Sequence, residues 1–147
     1  MRREYKTGTK WCVWRWKDMF WNNELYLRRL ILFQCPLFSV FLHWFHNPDK
    51  QAHLHDHPVN FLSIILRGGY EEVRKINGWR LEQRGYGSIG SRFNFVSAYD
   101  AHRVARLHGK PLTLCIAGRR LRQWGFHTQQ GWIRWQEYEK IYNGSTT

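Results

Sequence analysis

Cysteine, acidic residues and long apolar runs are what this 147-residue sequence has least of. Its three cysteines, Cys12, Cys35 and Cys115, lie far apart with no CxxC spacing. That excludes a disulfide framework and a thiolate zinc site, and a reducing cytoplasm is the expected compartment. Eleven Asp and Glu stand against 23 Lys and Arg, a formal net charge of +12, and 16 of those cations are Arg. Arg presents a planar fork suited to carboxylate and phosphate, so the expected ligand or partner is anionic. The most apolar stretch, 30–45, is broken by Gln34, Pro36, Ser39 and His43, short of the ~20 apolar residues of a membrane span. The N-terminus carries no apolar h-region, so neither a signal peptide nor membrane insertion is expected. Linkers, repeats and low-complexity runs are also missing, which predicts one domain over 1–147 with loose ends at 1–10 and 143–147. No nucleophile elbow or phosphate loop occurs. The GxGxxG spacing at 85–90 follows Gln83-Arg84 and nothing helical follows Gly90, so the context of a dinucleotide site is missing and the segment reads as a loop between strands.

What the chain has in quantity is aromatic: nine Trp, seven Tyr and nine Phe within 43% apolar residues, enough for a core plus a pocket or interface. Short runs of β-branched and aromatic residues recur with turn signals every eight to twelve residues or so, the pattern of an all-β barrel or sandwich. Strands are predicted over 11–16, 25–33, 38–45, 54–57, 61–73, 79–83, 88–95, 102–107, 112–117, 121–126 and 132–138. Turns are predicted at Asn22-Asn23, Asn47-Pro48-Asp49, Asn77-Gly78 and His108-Gly109-Lys110-Pro111. The segment 132–142 fits a terminal strand or an amphipathic helix, so the fold class is a β-barrel or jelly roll with at most one short C-terminal helix.

The densest chemical signal is His53-Leu54-His55-Asp56-His57-Pro58. Side chains two apart on an extended segment share a face, so these rings either converge on one point as metal ligands or sit solvated in a loop. Two residues of one strand cannot complete a coordination sphere. His102, at the head of a later strand, is the candidate third ligand.

With these residues in view, the sequence resembles the cupin superfamily, whose first motif is an HxH pair followed by Glu and then Gly. His55 and His57 take the pair and Gly68 or Gly69 the glycine, but Phe61 or Leu62 stands at the acidic position. The second motif survives only as His102, with Ser97 and Tyr99 in place of its Pro and Gly. A three-histidine set of this kind resembles the thiol dioxygenases of that superfamily, which implies Fe(II), with Zn, Mn or Ni as alternatives. A closer resemblance, over residues 24–138, is to small cupin-like proteins of bacteria and their phages with no assigned reaction. It rests on Leu25-Tyr26-Leu27-Arg28-Arg29, His55-Asp56-His57-Pro58 with Phe61, Ser63, Ile65, Gly68, Gly69, Tyr70 and Glu72, His102-Arg103-Val104, and Arg122 with Trp124-Gly125-Phe126. His53 falls outside that pattern and is left out of the metal shell.

Arg119, Arg120 and Arg122 precede Trp124 closely enough to clamp an anion while the indole stacks on a planar group; the alternative is a solvated face. Of Arg28 and Arg29, adjacent on a strand, only one can face inward. The expected substrate-side set is Arg28, Ser63, Tyr70, Arg119, Arg120, Arg122 and Trp124. The N-terminal cluster Trp11, Trp14, Trp16, Phe20 and Trp21, with Arg15 and Lys17 between the rings, fits an edge strand or homodimer interface, or else single-stranded nucleic acid. Three functions follow: a metal-dependent, Fe(II) dioxygenase-type enzyme acting on a small anionic molecule; a module that sequesters an anionic, nucleotide-like ligand; and nonspecific nucleic-acid binding. If His55 and His57 face inward, regular alternation brings Phe61, Ser63, Ile65 and Arg67 in with them, whereas a bulge at Pro58 brings Leu62, Ile64 and Leu66. Either register leaves an apolar residue where Glu would sit, and a cationic metal site is expected.

Overall fold

A computed structural model describes residues 11–76 and 78–143. The ends expected to be loose, apart from Asn143, and Asn77 of the Asn-Gly turn lie outside the described residues. In chain order the elements are β1 (Cys12–Trp21), β2 (Glu24–Gln34), β3 (Ser39–Phe45), β4 (Leu54–His55), β5 (Phe61–Ile76), β6 (Arg80–Gly87), β7 (Phe93–Val96), β8 (Ala101–Ala117), β9 (Gly125–Thr128), β10 (Gly131–Arg134) and α1 (Trp135–Asn143). All ten strands join one curled sheet, ordered β1-β2-β3-β8-β4-β9-β10, with β5 against β6, β7 and β8. Among the described residues no helix is long and apolar enough to cross a membrane.

Local chemistry accounts for the turns. Asn22 and Asn23 both take positive φ, 47° and 63°, the primed-turn geometry that matches strand twist, and they close the β1/β2 hairpin. The long strands β5 and β8 form the spine of the curl. Their ladder shifts register between Ile65/Arg67, Arg67/Gly69 and Glu71/Glu72. At the middle shift Gly68 takes φ +64°, and a Cβ there would lie 2.8 Å from the carbonyl oxygen of His108.

These shifts correct several sequence expectations. The segment 108–111 is not a turn: β8 runs straight through it, because Gly109 to Pro111 bulge opposite Gly68 and a bulge tolerates the missing N–H of Pro111. No strand covers 121–124, since the backbone N–H of Leu121 donates to Pro58 instead, and β9 starts at Gly125. The 88–95 prediction shrinks to Phe93–Val96 because residues 87–91 close a turn on themselves, Gly87 N–H donating to Ser91 O at 2.8 Å. The C-terminal segment is both of its alternatives in succession, strand to Arg134 and helix from Trp135. Tyr138 of that helix is buried with its ring centroid 3.7 Å from that of Phe126.

Two clusters fill the concave side, one of Ile31, Phe41, Cys115 and Ala117, the other of Ile65, Tyr70, Tyr86 and Val104. Strand 54–57 shortens to Leu54–His55 and residues 56–60 are not strand, yet Phe61, Ser63 and Ile65 face this interior. Arg67, expected inward with them, is exposed and donates from Nε to the Lys110 carbonyl at 3.2 Å, because the ladder shifts between Ile65 and Arg67. Beyond the shifts the parity is reversed, and Tyr70, Glu72 and Arg74 are the buried residues.

Candidate metal centre

His55 ends β4 and pairs across the ladder with His102 of β8, which puts both imidazoles on one face. Between His55 and His57 the chain turns Asp56 away. Its buried carboxylate accepts hydrogen bonds from the Gly125 N–H at 2.8 Å and from Trp132 Nε1 at 2.9 Å, contacts His127 Nε2 at 3.1 Å, and pairs with Arg122 at 2.7 Å. With Asp56 pinned outward, the next side chain returns to the face of His55. The three rings therefore form a near-equilateral triangle, with centroids 5.0 Å (His55–His57), 5.0 Å (His55–His102) and 4.9 Å (His57–His102) apart. One ligand nitrogen from each lies within 4.8 Å of the others, and the Nε2 atoms of His57 and His102 are 2.7 Å apart.

Behind the triangle stands a carboxylate that sequence reasoning did not assign to the site. Glu72 is fully buried and accepts a hydrogen bond from His102 Nδ1. Arg74 Nη2 donates to both oxygens of Glu72, at 3.2 and 3.0 Å, and to Asn94 Oδ1 at 2.7 Å, while Asn94 Nδ2 donates to the Tyr70 hydroxyl at 2.9 Å. Burial opposes the charge of Glu72, yet the hydrogen bond from His102 and the charges of His102 and Arg74 outweigh it and hold its pKa below the usual range. Its charge is matched by that of Arg74, and the charges of Arg29 and Arg74 both reach His57. The anion of the site comes from β5 beyond the register shifts, facing the back of a ligand ring, not from the acidic position that Phe61 occupies. Phe61 lies with its ring 4.8 Å from that of His57 and 6.2 Å from that of His102.

The electrostatics favour ligation. Burial pushes the His55 pKa down to about 4. Burial, followed by the neighbouring His102, His55 and Arg29, holds His57 well below its ordinary value. Both rings are neutral near pH 7 and carry a lone pair. The hydrogen bond from His102 Nδ1–H to Glu72 leaves Nε2 of that ring as its acceptor side, the arrangement that fixes a ligand histidine in its tautomer. Three convergent imidazoles with a carboxylate behind one of them fit a divalent first-row metal ion.

Around this centre the other expected residues divide. Trp124 has its ring 6.3 Å from His55 and stacks on Trp135 at 5.8 Å. Ser63 and Tyr70 are buried on the interior face. Arg28 is not: it points outward and pairs with Asp18, its Nε 2.8 Å from Oδ1. Its neighbour Arg29 turns inward, donates from Nε to His43 Nε2 at 2.8 Å, lies 4.2 Å from the Phe41 ring centroid, and acts by charge on His57. Arg119 and Arg120 are exposed on the segment before β9, and Arg122 is engaged by Asp56 and by the Ala98 carbonyl at 2.9 Å, so the three arginines do not assemble as one clamp. His53 stays outside the triangle, its Nδ1 2.9 Å from the Tyr138 hydroxyl. In the N-terminal cluster, Trp16 packs on Trp44 at 5.4 Å and Trp21 on Tyr138 at 6.3 Å, which makes β1 an edge strand seated on the sheet.

No protein-family model matches the chain, and no curated protein matches it by sequence. Solved structures do match by shape. A variant of Bacillus subtilis oxalate decarboxylase OxdC aligns over 95% of this chain and 37% of its own, at 10% identity and a TM-score of 0.58. Fe(II)-HppE with the alternative substrate (S)-1-HPP aligns over 71% of this chain and 55% of its own, at 12% identity and a TM-score of 0.54. KdgF from Halomonas sp. aligns over 72% and 89%, at 18% identity and a TM-score of 0.50. The chain spans about half the length of HppE and little more than a third of OxdC. The fold is a cupin-like β-barrel, built from one curled sheet.

Proposed function

We propose that this chain is a metal-dependent enzyme of the dioxygenase type, in which His55, His57 and His102 hold one divalent ion, Fe(II) before Mn, Zn or Ni, and Arg29 receives the anionic end of a small substrate. The observation that carries this reading is the convergence of three imidazoles in front of a buried carboxylate. Bound there, a divalent ion supplies Lewis acidity and, as Fe(II), one-electron chemistry toward dioxygen. Glu72 keeps the His102 proton on Nδ1 and so presents Nε2 forward. Phe61 covers the flank of His57 and His102 and excludes water there, while Trp124 and Phe126 hold the His55 ring, at 6.3 and 5.9 Å. Arg29 brings a guanidinium into the interior, where an ion pair with carboxylate or phosphorus oxyanion is little screened. Support also comes from the metals named for proteins of similar shape, Fe(II) in HppE and Mn(II) in oxalate decarboxylase. The sequestering alternative rests on the +12 charge and the Arg and Trp content; of the arginines expected to matter for its ligand, Arg122 is engaged by Asp56.

The test is metal analysis of protein prepared without a histidine tag and reconstituted anaerobically with Fe, Mn, Zn or Ni. One ion per chain is expected, lost in His55→Ala and His57→Ala variants that keep the wild-type circular dichroism. Dioxygen uptake by the iron form is then followed over a panel of small carboxylates, thiols and phosphonates. A stoichiometry near zero with every metal overturns the centre; a loaded centre inert toward dioxygen with the whole panel overturns the dioxygenase assignment.

A further inference from the structure

Strands β3, β5 and β8 are apolar on both faces. Phe41, Ile65 and Cys115 face the interior, and the residues alternating with them, Leu42, Ile64 and Leu114, face the other way as one cross-strand row. The row continues through Ile64↔Phe93 to β7 and through Leu42↔Leu30↔Trp16 to β1. A sheet with two apolar faces is normally covered on both. Among the described residues no second layer lies over this one: Leu30 is covered by its own sheet's side chains, with Trp16 packed on Trp44, every strand belongs to the same sheet, and α1 packs on β9 and β10 at the far end. Phe93 is 61% exposed, Phe95 59%, Trp16 58% and Ile116 40%.

We propose that this outer face is the interface between two copies of the chain, packed sheet on sheet about a two-fold axis lying between β3 and β8. The proposal does not depend on the metal reading. Three observations select a second copy as the occupant. First, these four side chains alone offer on the order of 500 Å², and their half-buried neighbours bring the patch toward the ~800 Å² per partner of a stable interface. Second, for a chain of +12 the face is poor in charge. Arg28 and Asp18 neutralise each other at 2.8 Å, and the paired rows add one further cation, Arg67 opposite Leu112 at the end of the face, so two copies meet over rows that are otherwise uncharged. Third, the face is self-complementary. Phe93 and Phe95 project at the β7 end, and at the β1 end Trp16, Asp18 and Arg28 line a notch of about 230 Å³. A two-fold between the central strands sets each phenylalanine edge against the notch of the other copy, with the aliphatic rows of β3 and β8 between them.

Multi-angle light scattering of the purified full chain tests this. The expected mass is twice 17.9 kDa, falling to a single chain in Phe95→Lys and in Ile116→Lys, with dimer affinity lowered by about 100-fold or more because each substitution buries an unpaired charge. Trp79→Lys is the control: Trp79 is 78% exposed at the β5/β6 turn, off the face, and the dimer is expected to persist. Should the lysine variants fail to fold, a photoreactive benzoylphenylalanine at position 95 is expected to cross-link to the segment around Trp16 or Trp44 of a second chain. A wild-type chain that is monomeric at about 100 µM, a dimer indifferent to both well-folded lysine variants, or cross-links confined to other segments would each overturn the proposal.

Discussion

His102 and Glu72, 30 residues apart, meet in the barrel interior through the ring Nδ1 and a fully buried carboxylate. That contact aims the opposite ring nitrogen at His57, whose Nε2 lies 2.7 Å away. Replacing Glu72 by Gln keeps the shape and removes the charge. The expected result is a 10- to 100-fold loss of metal affinity, the usual size of such an outer contact, measured by competition with a chelator. An unchanged affinity would mean that Glu72 serves only to neutralise Arg74.

Phe61 and Leu62 separate the two faces of β5. Phe61 lies against His57, and Leu62 pairs with Phe95 and Ile116 on the outer surface. Phe61→Glu should add a carboxylate beside the imidazoles, raising divalent-metal affinity by about 10-fold and weakening the binding of anions to the loaded site. Leu62→Glu should leave metal affinity where it is, whatever it does to association. Isothermal titration with Mn and Zn distinguishes them, and equal behaviour of the two variants would contradict the register.

Arg28 and Arg29 offer a matched pair of the same chemistry in opposite directions. With oxalate and inorganic phosphate as probes of the metal-loaded protein, Arg29→Gln is expected to weaken binding by about 10-fold or more, the scale of a lost charge-assisted pair. Arg28→Gln, which breaks only a solvent-exposed ion pair with Asp18, should change it less than about twofold. A loss confined to Arg28→Gln would place the anion outside the barrel.

His43 supplies a pH dependence. Burial, and then the charge of Arg29, hold its pKa well below the ordinary value of 6.5. Between the folded and unfolded pKa values the unfolded chain binds a proton that the folded chain does not. Stability should therefore be fully present above about pH 6.5 and fall as the pH drops toward the lower, folded value. Urea unfolding at pH 7.5, 6.0 and 5.0 should show a falling midpoint, and His43→Gln, which keeps an acceptor for Arg29, should flatten part of that slope. A His43→Gln profile parallel to the wild type would remove His43 as its source.

How much of this was legible from the residues depends on distance along the chain. The spacing of two was enough to suggest His55 beside His57 and, counted on, the faces of Phe61, Ser63 and Ile65, although residues 56–60 are not strand and the same count misplaces Arg67. Asn22-Asn23 announced its hairpin for the same local reason. Glu72 was hidden because alternation counted from Phe61 predicts the wrong face beyond Gly68, and the reversal arises where Gly68 meets the His108 carbonyl of another strand. Arg29 could not be told from Arg28, since Leu27 and Ile31 on one parity of β2 and Leu30 on the other are all apolar and all buried.

The sequence by itself determined an all-β chain with an imidazole pair on one face, because side-chain direction in a regular strand follows from spacing alone. Only the tertiary structure decided that His102 completes the triangle, that Glu72 stands behind it, and that Arg29 and not Arg28 faces the interior. Each depends on register between strands, with partners 14 residues apart for Arg29 and His43, 30 for Glu72 and His102 and 45 for His57 and His102, and register is set by bulges and close backbone approaches between segments, which no short window of residues encodes.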